Sequence, residues 1–195
     1  MLLLRPYVPA LFNPPCFLRR RYGTCRYSRV GGRAAPRFRS LAVERRYGAI
    51  RATDIIDRAG VGKSTFYDHF RGKNDVLLTA LRPILLALAT AASGRAARSY
   101  VRPVIEHLWE QRAFVRPILD STAASILQRR LAGAITVHGG RQVDAEGIPL
   151  FAVGIAAAQL AMLRCWLAGH AVATVDVMTE QLIACSRFKD GDRPS

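Results

Sequence analysis

An all-α fold is the structure that this sequence predicts, and three observations support it. Half of the 195 residues are hydrophobic, so the chain has enough apolar surface to form a core. Alanine and leucine, both strong helix formers, are prominent in the composition. Apolar residues recur at helical spacing, whereas alternating runs of β-branched residues are scarce. We therefore expect a small N-terminal three-helix domain followed by a larger helical domain.

The N-terminal segment, residues 1–33, is rich in arginine, proline and glycine and has no helical or strand period. This composition predicts a basic, disordered tail. One alternative is an arm that adds non-specific affinity for a polyanion, and another is a plain solvated tail. Because amino-acid usage changes abruptly after this segment, a misassigned start site or a shifted reading frame over residues 1–40 is favoured slightly over the arm.

The positive charge is large but unevenly distributed. The formal net charge is +15 and the sequence pI is near 10.9, which favours a polyanionic partner such as nucleic acid. Residues 1–46 hold eleven arginines and one acid, Glu44, a local net charge of +10. Two-thirds of the excess therefore lies in this part of the chain, and total charge is weak evidence for a specific site.

Patterns of catalytic or metal-binding residues are not found in the sequence. It has no paired carboxylates and no nucleophile–base constellation. The four cysteines lack the spacing of a zinc site, and they are Cys16, Cys25, Cys165 and Cys185. We expect no enzyme, metal or cofactor, and buried thiols at Cys165 and Cys185 in a reducing cytoplasm. The apolar start of the chain is broken by Arg5 and Pro6, so no secretion signal is predicted.

Residues 34–48 are predicted to form the first helix, and residues 51–78 two short helices, a tight turn between them and the start of a longer helix. Ile55 and Ile56 lie on the buried side of the first short helix. Gly60 ends it, since glycine tolerates the positive φ of a sharp turn. Two short helices joined in this way form a helix-turn-helix, whose second helix enters the DNA major groove.

The second short helix and the residues that follow it carry side chains suited to phosphate contact: Lys63, Ser64, Thr65, Tyr67, His69 and Lys73. The first three lie on its first exposed turn, where backbone N–H groups and the helix dipole favour an anion. Tyr67 or His69 alone is explained equally well as the cap of a small core, with Phe66 and Phe70 as its apolar contacts. Lys73 is expected to add a mobile positive charge. The full spacing favours a DNA-binding helix.

The segment GVGKST also matches the end of a phosphate-binding P-loop, GxxxxGK[ST]. The first glycine of that motif would stand at position 57, which is Asp57, and a carboxylate there would repel the phosphates. The motif should also follow a β-strand, whereas residues 54–59 have helical spacing. Both observations exclude a P-loop.

The run DII-x-x-AGVGKSTFYDHF-x-x-K closely resembles the signature of the TetR family of bacterial transcriptional regulators over residues 47–78. The resemblance is faint elsewhere. It implies base contacts from Lys63, Ser64 and Asp68. It implies contacts to the DNA backbone from Thr65, Tyr67, His69 and Lys73, and it adds Arg51 and Thr53 as DNA-binding candidates.

The first helix departs from the family pattern. Pro36, Arg39 and Ala42 stand at expected helix positions, and Arg46 replaces a glycine before the aromatic residue. Only Leu41, Val43 and Tyr47 remain as clear core candidates, so the helix is expected to support the DNA-binding domain poorly.

The remainder, residues 79–188, is predicted to be a helical effector-binding and dimerisation domain, with a short tail at 189–195. A helix from Asp75 is kinked at Pro83, helices follow over 100–116 and 118–132, and residues 133–147 form a loop. The resemblance implies an effector pocket, for which His107, Trp109 and Phe114 are candidates. Ordinary core packing is the more common role for such aromatic residues.

Residues 148–169 and 175–188 are predicted to form the last two helices. They are expected to pair with their copies in a second subunit as a four-helix bundle. The candidate interface residues are Phe151, Ile155, Met162, Trp166, Met178 and Leu182. The uncharged run 147–163 is slightly short of a membrane span, and membrane attachment is a weaker alternative to the bundle.

The sequence thus predicts a cytoplasmic, homodimeric TetR-type regulator, a repressor that binds a pseudo-palindromic operator in double-stranded DNA and is released by a small-molecule effector. The alternative is a degenerate helix-turn-helix paralogue that dimerises without binding a specific operator.

Overall fold

The computed structural model describes residues 26–93, 98–140 and 147–185. These ranges contain nine α-helices and no β-strand, so the predicted all-α class is confirmed. A 3₁₀ turn, Tyr47–Ala49, joins the first two helices. In chain order the helices are α1 (Arg26–Glu44), α2 (Ala52–Ala59), α3 (Lys63–Tyr67), α4 (Lys73–Ala92), α5 (Arg98–Glu110), α6 (Arg112–Leu119), α7 (Ala123–His138), α8 (Leu150–Leu167) and α9 (Val175–Ala184).

The central element of the fold is α4, which packs against α1, α5, α7 and α9. Its buried residues include Leu77, Leu81 and Leu88, and the core is continuous from α1 to α9. The buried amide of Gln159 on α8 donates from Nε2 to the carbonyl oxygen of Leu88 at 3.1 Å and to that of Leu182 at 3.4 Å. One polar side chain thus joins α8 to α4 and α9 inside the core.

The first helix begins earlier than the sequence predicted. The structure continues it back to Arg26, so residues 26–33 of the predicted disordered tail are helical. The rest of that tail, residues 1–25, lies outside the described residues. The helix also ends at Glu44, before the 3₁₀ turn, rather than at residue 48.

The buried face of α1 contains more apolar residues than the sequence indicated. It is formed by Ala34, Phe38, Leu41 and Ala42. Val43 was a predicted core residue, but its side chain is 58% exposed. That prediction was wrong because one residue turns a helix by about 100°, which carries Val43 off the face that Phe38 and Ala42 define.

Arg39 lies between α1, α4 and α6 instead of facing solvent. Its Nη2 donates to the carbonyl oxygen of Ala80 at 3.4 Å, and its guanidinium lies 5.8 Å from the centre of the Phe114 ring. The Phe38 ring meets the same ring edge-on at 6.0 Å. A cation–π contact and an aromatic pair therefore fasten α1 to the helical body.

The middle of the chain contains three helices where two were predicted. Pro117 lies within α6, and the chain breaks instead at Gln111 and after Leu119. Residues 133–138, predicted as loop, are the last turns of α7. Burial of Ile135 and Thr136 outweighs the low helix propensity of Gly133.

The last two helices are shorter than predicted. Gly169 follows α8 with a φ of 79°, as expected of the residue that closes it. The final helix ends at Ala184, and residues 186–195, including the predicted tail, lie outside the described residues. Cys165 is exposed and Cys185 partly exposed, so the prediction of two buried thiols was wrong.

Length and composition alone would allow two of the described helices, α4 and α8, to cross a membrane. About half of the tested stretch of α4 is buried inside the fold, as is typical of the core helix of a globular domain. The match is therefore weak evidence for a membrane span.

Replacing Phe38 by alanine is expected to lower the free energy of unfolding by about 3 to 5 kcal/mol, because it leaves a cavity at the junction of α1 and α6. Urea denaturation followed by circular dichroism measures this change. Val43→Ala on the same helix is the matched control, with an expected change within about 0.5 kcal/mol. Equal effects of the two substitutions would contradict the packing described for α1.

Candidate DNA-binding site

The helix-turn-helix forms where the sequence predicted it. Gly60 ends α2 with a φ of 60°, the left-handed conformation that glycine adopts without strain. Two residues later Gly62 is the N-cap of α3, and its carbonyl oxygen accepts the Phe66 N–H at 2.9 Å. Phe66 and Phe70 are buried and anchor α3 on the domain. The opposite side of the short helix is consequently left open to solvent.

The open side of α3 carries most of the predicted DNA-binding residues. Exposed side chains are those of Lys63, Ser64, Thr65, Tyr67 and Asp68, whereas His69 is half-buried. Tyr67 is 54% exposed and its ring packs edge-on against Phe66, with the centroids 5.3 Å apart. The packing positions the ring and leaves much of it accessible to a partner.

The start of α2 presents two further candidates, Arg51 and Thr53, both exposed. Arg51 lies at the N-cap but has no side-chain acceptor for the helix N–H groups. Asp54 accepts the Arg51 backbone N–H at 2.8 Å and lies 3.8 Å from the Arg45 guanidinium. This carboxylate fixes the beginning of α2, so that Arg51 and Thr53 lie on an ordered helix end.

Lys73 has a different environment from the one the sequence suggested. Its ammonium group donates to the carbonyl oxygens of Tyr47 at 2.9 Å, Ile50 at 2.9 Å and Gly48 at 3.3 Å. It also lies 4.6 Å from the centre of the Tyr47 ring. Three acceptors match the three donors of an ammonium group, so Lys73 is not the mobile charge that we expected.

Tyr47, whose ring lies beside the Lys73 ammonium group, adds a second set of contacts at this junction. The side chain is buried, its ring packs edge-on against Phe38, and its hydroxyl donates to the Asn74 side-chain oxygen. Burial raises the pKa of Tyr47 to about 12, which keeps the phenol a neutral donor. Lys73, Tyr47 and Asn74 thus bind the start of α4 to the junction of α1 and α2.

A salt bridge braces the other side of the domain. Arg58 donates from Nη2 and Nη1 to the two carboxylate oxygens of Glu44 at 2.7 and 3.0 Å. These hydrogen bonds hold the pKa of the Glu44 carboxyl below its usual range. The pair joins the end of α1 to α2, and both side chains are exposed, so its contribution to stability is small.

The three effector-pocket candidates do not converge on one cavity. Phe114 is buried against Phe38 of α1. Trp109 is 36% exposed, and its ring stacks on that of Trp166 with centroids 4.6 Å apart. His107 is partly exposed and lies 3.6 Å from the Glu110 carboxylate. They are three separate contacts of α5 and α6.

The dimer-interface candidates divide into two groups. Four of them lie in the core of a single chain and cannot contact a second copy as predicted: Ile155, Trp166, Met178 and Leu182. Phe151 is exposed and Met162 partly exposed. The outward face of α8 continues from Phe151 through small residues at helical spacing, which are Gly154, Ala158, Ala161 and Cys165.

The geometry defines a helix-turn-helix domain with an open polar helix face. Residues 39–80 match the sequence profile of a family described as "Bacterial regulatory proteins, tetR family". The predicted resemblance to that family is therefore confirmed over this segment, which runs from the end of α1 through the helix-turn-helix to the start of α4.

Comparisons of the whole chain add little to this match. No curated protein sequence matches the chain at a significant level. A solved structure of "Dihydroxyacetone kinase operon activator DhaS" resembles it with 16% sequence identity and a TM-score of 0.48, over 80% of this chain and 93% of the other. A likeness of that degree carries no argument about function.

Replacing Lys73 by methionine retains the aliphatic stem and removes the charge and three hydrogen bonds. We expect the free energy of unfolding to fall by about 2 kcal/mol, since hydrogen bonds from charged groups contribute most among such bonds. Thermal and urea denaturation measure the loss, and Lys63→Met on exposed α3 is the control with unchanged stability. If Lys73→Met keeps the stability of the wild type but loses affinity for DNA, Lys73 is a DNA-contacting residue as the sequence predicted.

Proposed function

We propose that this protein is a transcriptional repressor that acts in the bacterial cytoplasm as a homodimer and is released from a pseudo-palindromic operator by a small-molecule effector. The observation that carries the DNA-binding part is the open face of α3. Lys63, Ser64 and Tyr67 are exposed there together while Phe66 and Phe70 hold the helix from behind. Polar side chains on a rigidly anchored helix suit the reading of base edges in a major groove.

Base and phosphate contacts would be divided between two places. Lys63 and Ser64 on the first turn of α3, with Asp68 beyond them, would meet base edges. Thr65, Tyr67 and His69 would bind the DNA backbone, together with Arg51 and Thr53 at the start of α2. Contacts to phosphate position the protein without conveying sequence, and they make affinity fall as salt rises. Lys73 is left out of this set because its donors are occupied within the domain.

The dimer would form through the outward faces of α8 and α9. Gly154, Ala158 and Ala161 present almost no side-chain bulk, so a helix from a second copy can approach closely. Phe151 and Val177, both exposed, would add apolar area beside this stripe. Pairing α8 and α9 with their copies gives a four-helix bundle, which sets two α3 helices about one turn of DNA apart.

Release by an effector requires a connection from the body to the DNA-binding domain. The contacts of Phe114 with Phe38 and Arg39 supply one, because α6 touches α1 directly. A ligand that binds among α5, α6 and α8, near His107 and Trp109, would shift α6 and with it α1. The ligand acts only if its affinity differs between the two arrangements.

The alternative, a paralogue that dimerises without an operator, is less well supported. It rested on a first helix weakened at Arg39 and Arg46. Arg39 instead contacts Ala80 and Phe114, Arg46 is exposed, and four residues of α1 are buried in the core. A DNA-binding domain whose first helix packs in this way is expected to fold with the rest of the chain.

A double substitution on α3 tests the proposal. Lys63→Ala with Tyr67→Phe is expected to weaken binding to the intergenic DNA beside the protein's own gene at least tenfold. Loss of a good base contact alone costs about 1 to 3 kcal/mol. Fluorescence anisotropy with labelled duplex, at 50 and 200 mM salt, measures affinity and its salt dependence.

Tyr100→Phe with Arg129→Ala is the matched control, since it removes a hydroxyl and one positive charge from the exposed surface of the body. Its affinity should equal that of the wild type. Specific DNA binding that survives the α3 substitutions would contradict the assignment of α3, and a wild type that binds operator and scrambled duplex equally would favour the alternative. Derepression of a reporter by the α3 variant would mark the protein as a repressor.

A charged side chain on the outward face of α8 tests the dimer. Ala158→Glu is expected to convert a dimer to a monomer, because a buried unpaired carboxylate is strongly unfavourable. Analytical ultracentrifugation measures the mass, and the wild type should sediment near twice 21.5 kDa. Ala113→Glu on the exposed face of α6 is the matched control. Equal masses for wild type and Ala158→Glu would overturn the proposed interface.

A further inference from the structure

An open groove of about 380 Å³ runs between α1 and the end of α2. It is lined by Gly32, Arg33, Pro36, Arg37 and Ala59. Both arginines are exposed and stand four residues apart, on neighbouring turns of one helix face. Proline and glycine beside them keep this wall free of other large side chains. The groove therefore offers two long guanidinium side chains over a shallow, open surface.

The charges of these two arginines are uncompensated, unlike those of Arg45 and Arg58. Arg45 lies 3.8 Å from Asp54, and Arg58 is paired with Glu44 at 2.7 Å. Among the described residues, no acid lies within ion-pair distance of Arg33 or Arg37. Like charges four residues apart on a helix repel each other. An anion that bridges them would relieve the repulsion, and guanidinium groups match phosphate oxygens in geometry.

The groove lies close to the helix that would enter the DNA. Its residue on α2, Ala59, comes directly before the Gly60 turn, and only four peptide links separate it from Lys63. Consecutive Cα atoms are about 3.8 Å apart, so the groove lies within roughly 15 Å of the first residue of α3. One DNA strand advances about 3.4 Å per nucleotide, so the groove is at most about four base pairs away from the α3 contact.

We propose that Arg33 and Arg37 form a binding site for DNA phosphates that flank the bases contacted by α3. The inference rests on the proposed operator binding and extends the contact with DNA from the helix-turn-helix to α1. Phosphate contacts carry no base information. The site therefore raises affinity for every sequence and lengthens the stretch of duplex that each protomer covers.

The test measures salt dependence for the full chain on two duplexes. One is the footprinted operator from the DNA beside its own gene, and the other is the same operator shortened by four base pairs at each end. Each neutralised phosphate contributes about 0.9 to the slope of log K against log salt. Arg33→Ala with Arg37→Ala should lower that slope by about 2 per protomer, and the variant should lose less affinity than the wild type when the duplex is shortened.

Two controls isolate the effect. Arg33→Lys with Arg37→Lys retains both charges and should retain most of the slope. Arg129→Ala with Arg130→Ala removes the same charge from the exposed surface of α7 and should behave as the wild type. Circular dichroism of each variant checks that helix content is unchanged.

A slope and a length dependence unchanged by Arg33→Ala with Arg37→Ala would overturn the site, and the two arginines would be a solvated helix face. An equal loss in the α7 control would do the same, because only total charge would then matter. Failure of the proposed function is a separate result, a wild type that binds operator and scrambled duplex equally. Because phosphate contacts are independent of sequence, the slope on the scrambled duplex still decides the role of the arginines.

Discussion

The ammonium group of Lys73 holds the DNA-binding domain together. It accepts no hydrogen bond itself but donates to three carbonyl oxygens of the 3₁₀ turn between α1 and α2 and of the residue after it. The Tyr47 ring closes over the same charge. Together with the hydrogen bond from Tyr47 to Asn74, this contact binds the start of α4 to the α1–α2 junction and helps to set the orientation of α3. The partly buried ammonium group of Lys73 therefore helps to fix the orientation in which α3 presents its exposed residues.

The second constraint is the contact between α1 and α6. Phe38 and Arg39 both rest on Phe114, so the helix that supports the helix-turn-helix also packs on the body. Arg39 also adds a hydrogen bond to α4. The DNA-binding domain and the helical body therefore meet at this contact of α1 with α6 as well as along α4.

Much of this arrangement followed from the sequence, where local patterns were strong. Gly60, Phe66 and Phe70 specified the helix-turn-helix because glycine geometry and apolar spacing act over a few residues. Lys73 was misjudged, since its acceptors lie more than twenty residues away in the chain and belong to the backbone. Backbone carbonyls are the same in every sequence and leave no pattern to read. The inward orientation of Trp166 was missed for a similar reason, because α8 is apolar on all sides and only its neighbours decide which face is buried.

The stacked indoles of Trp109 and Trp166 have a practical consequence. They are the two tryptophans of the chain, and they join α5 to α8 with ring centroids 4.6 Å apart. Nearly all of the intrinsic fluorescence excited at long ultraviolet wavelengths therefore arises from one contact. Because the Trp166 indole also donates to the Ala173 carbonyl oxygen at 2.9 Å, the emission reports on the α8–α9 connection as well. The protein contains its own optical probe of motion in the helical body, with no label required.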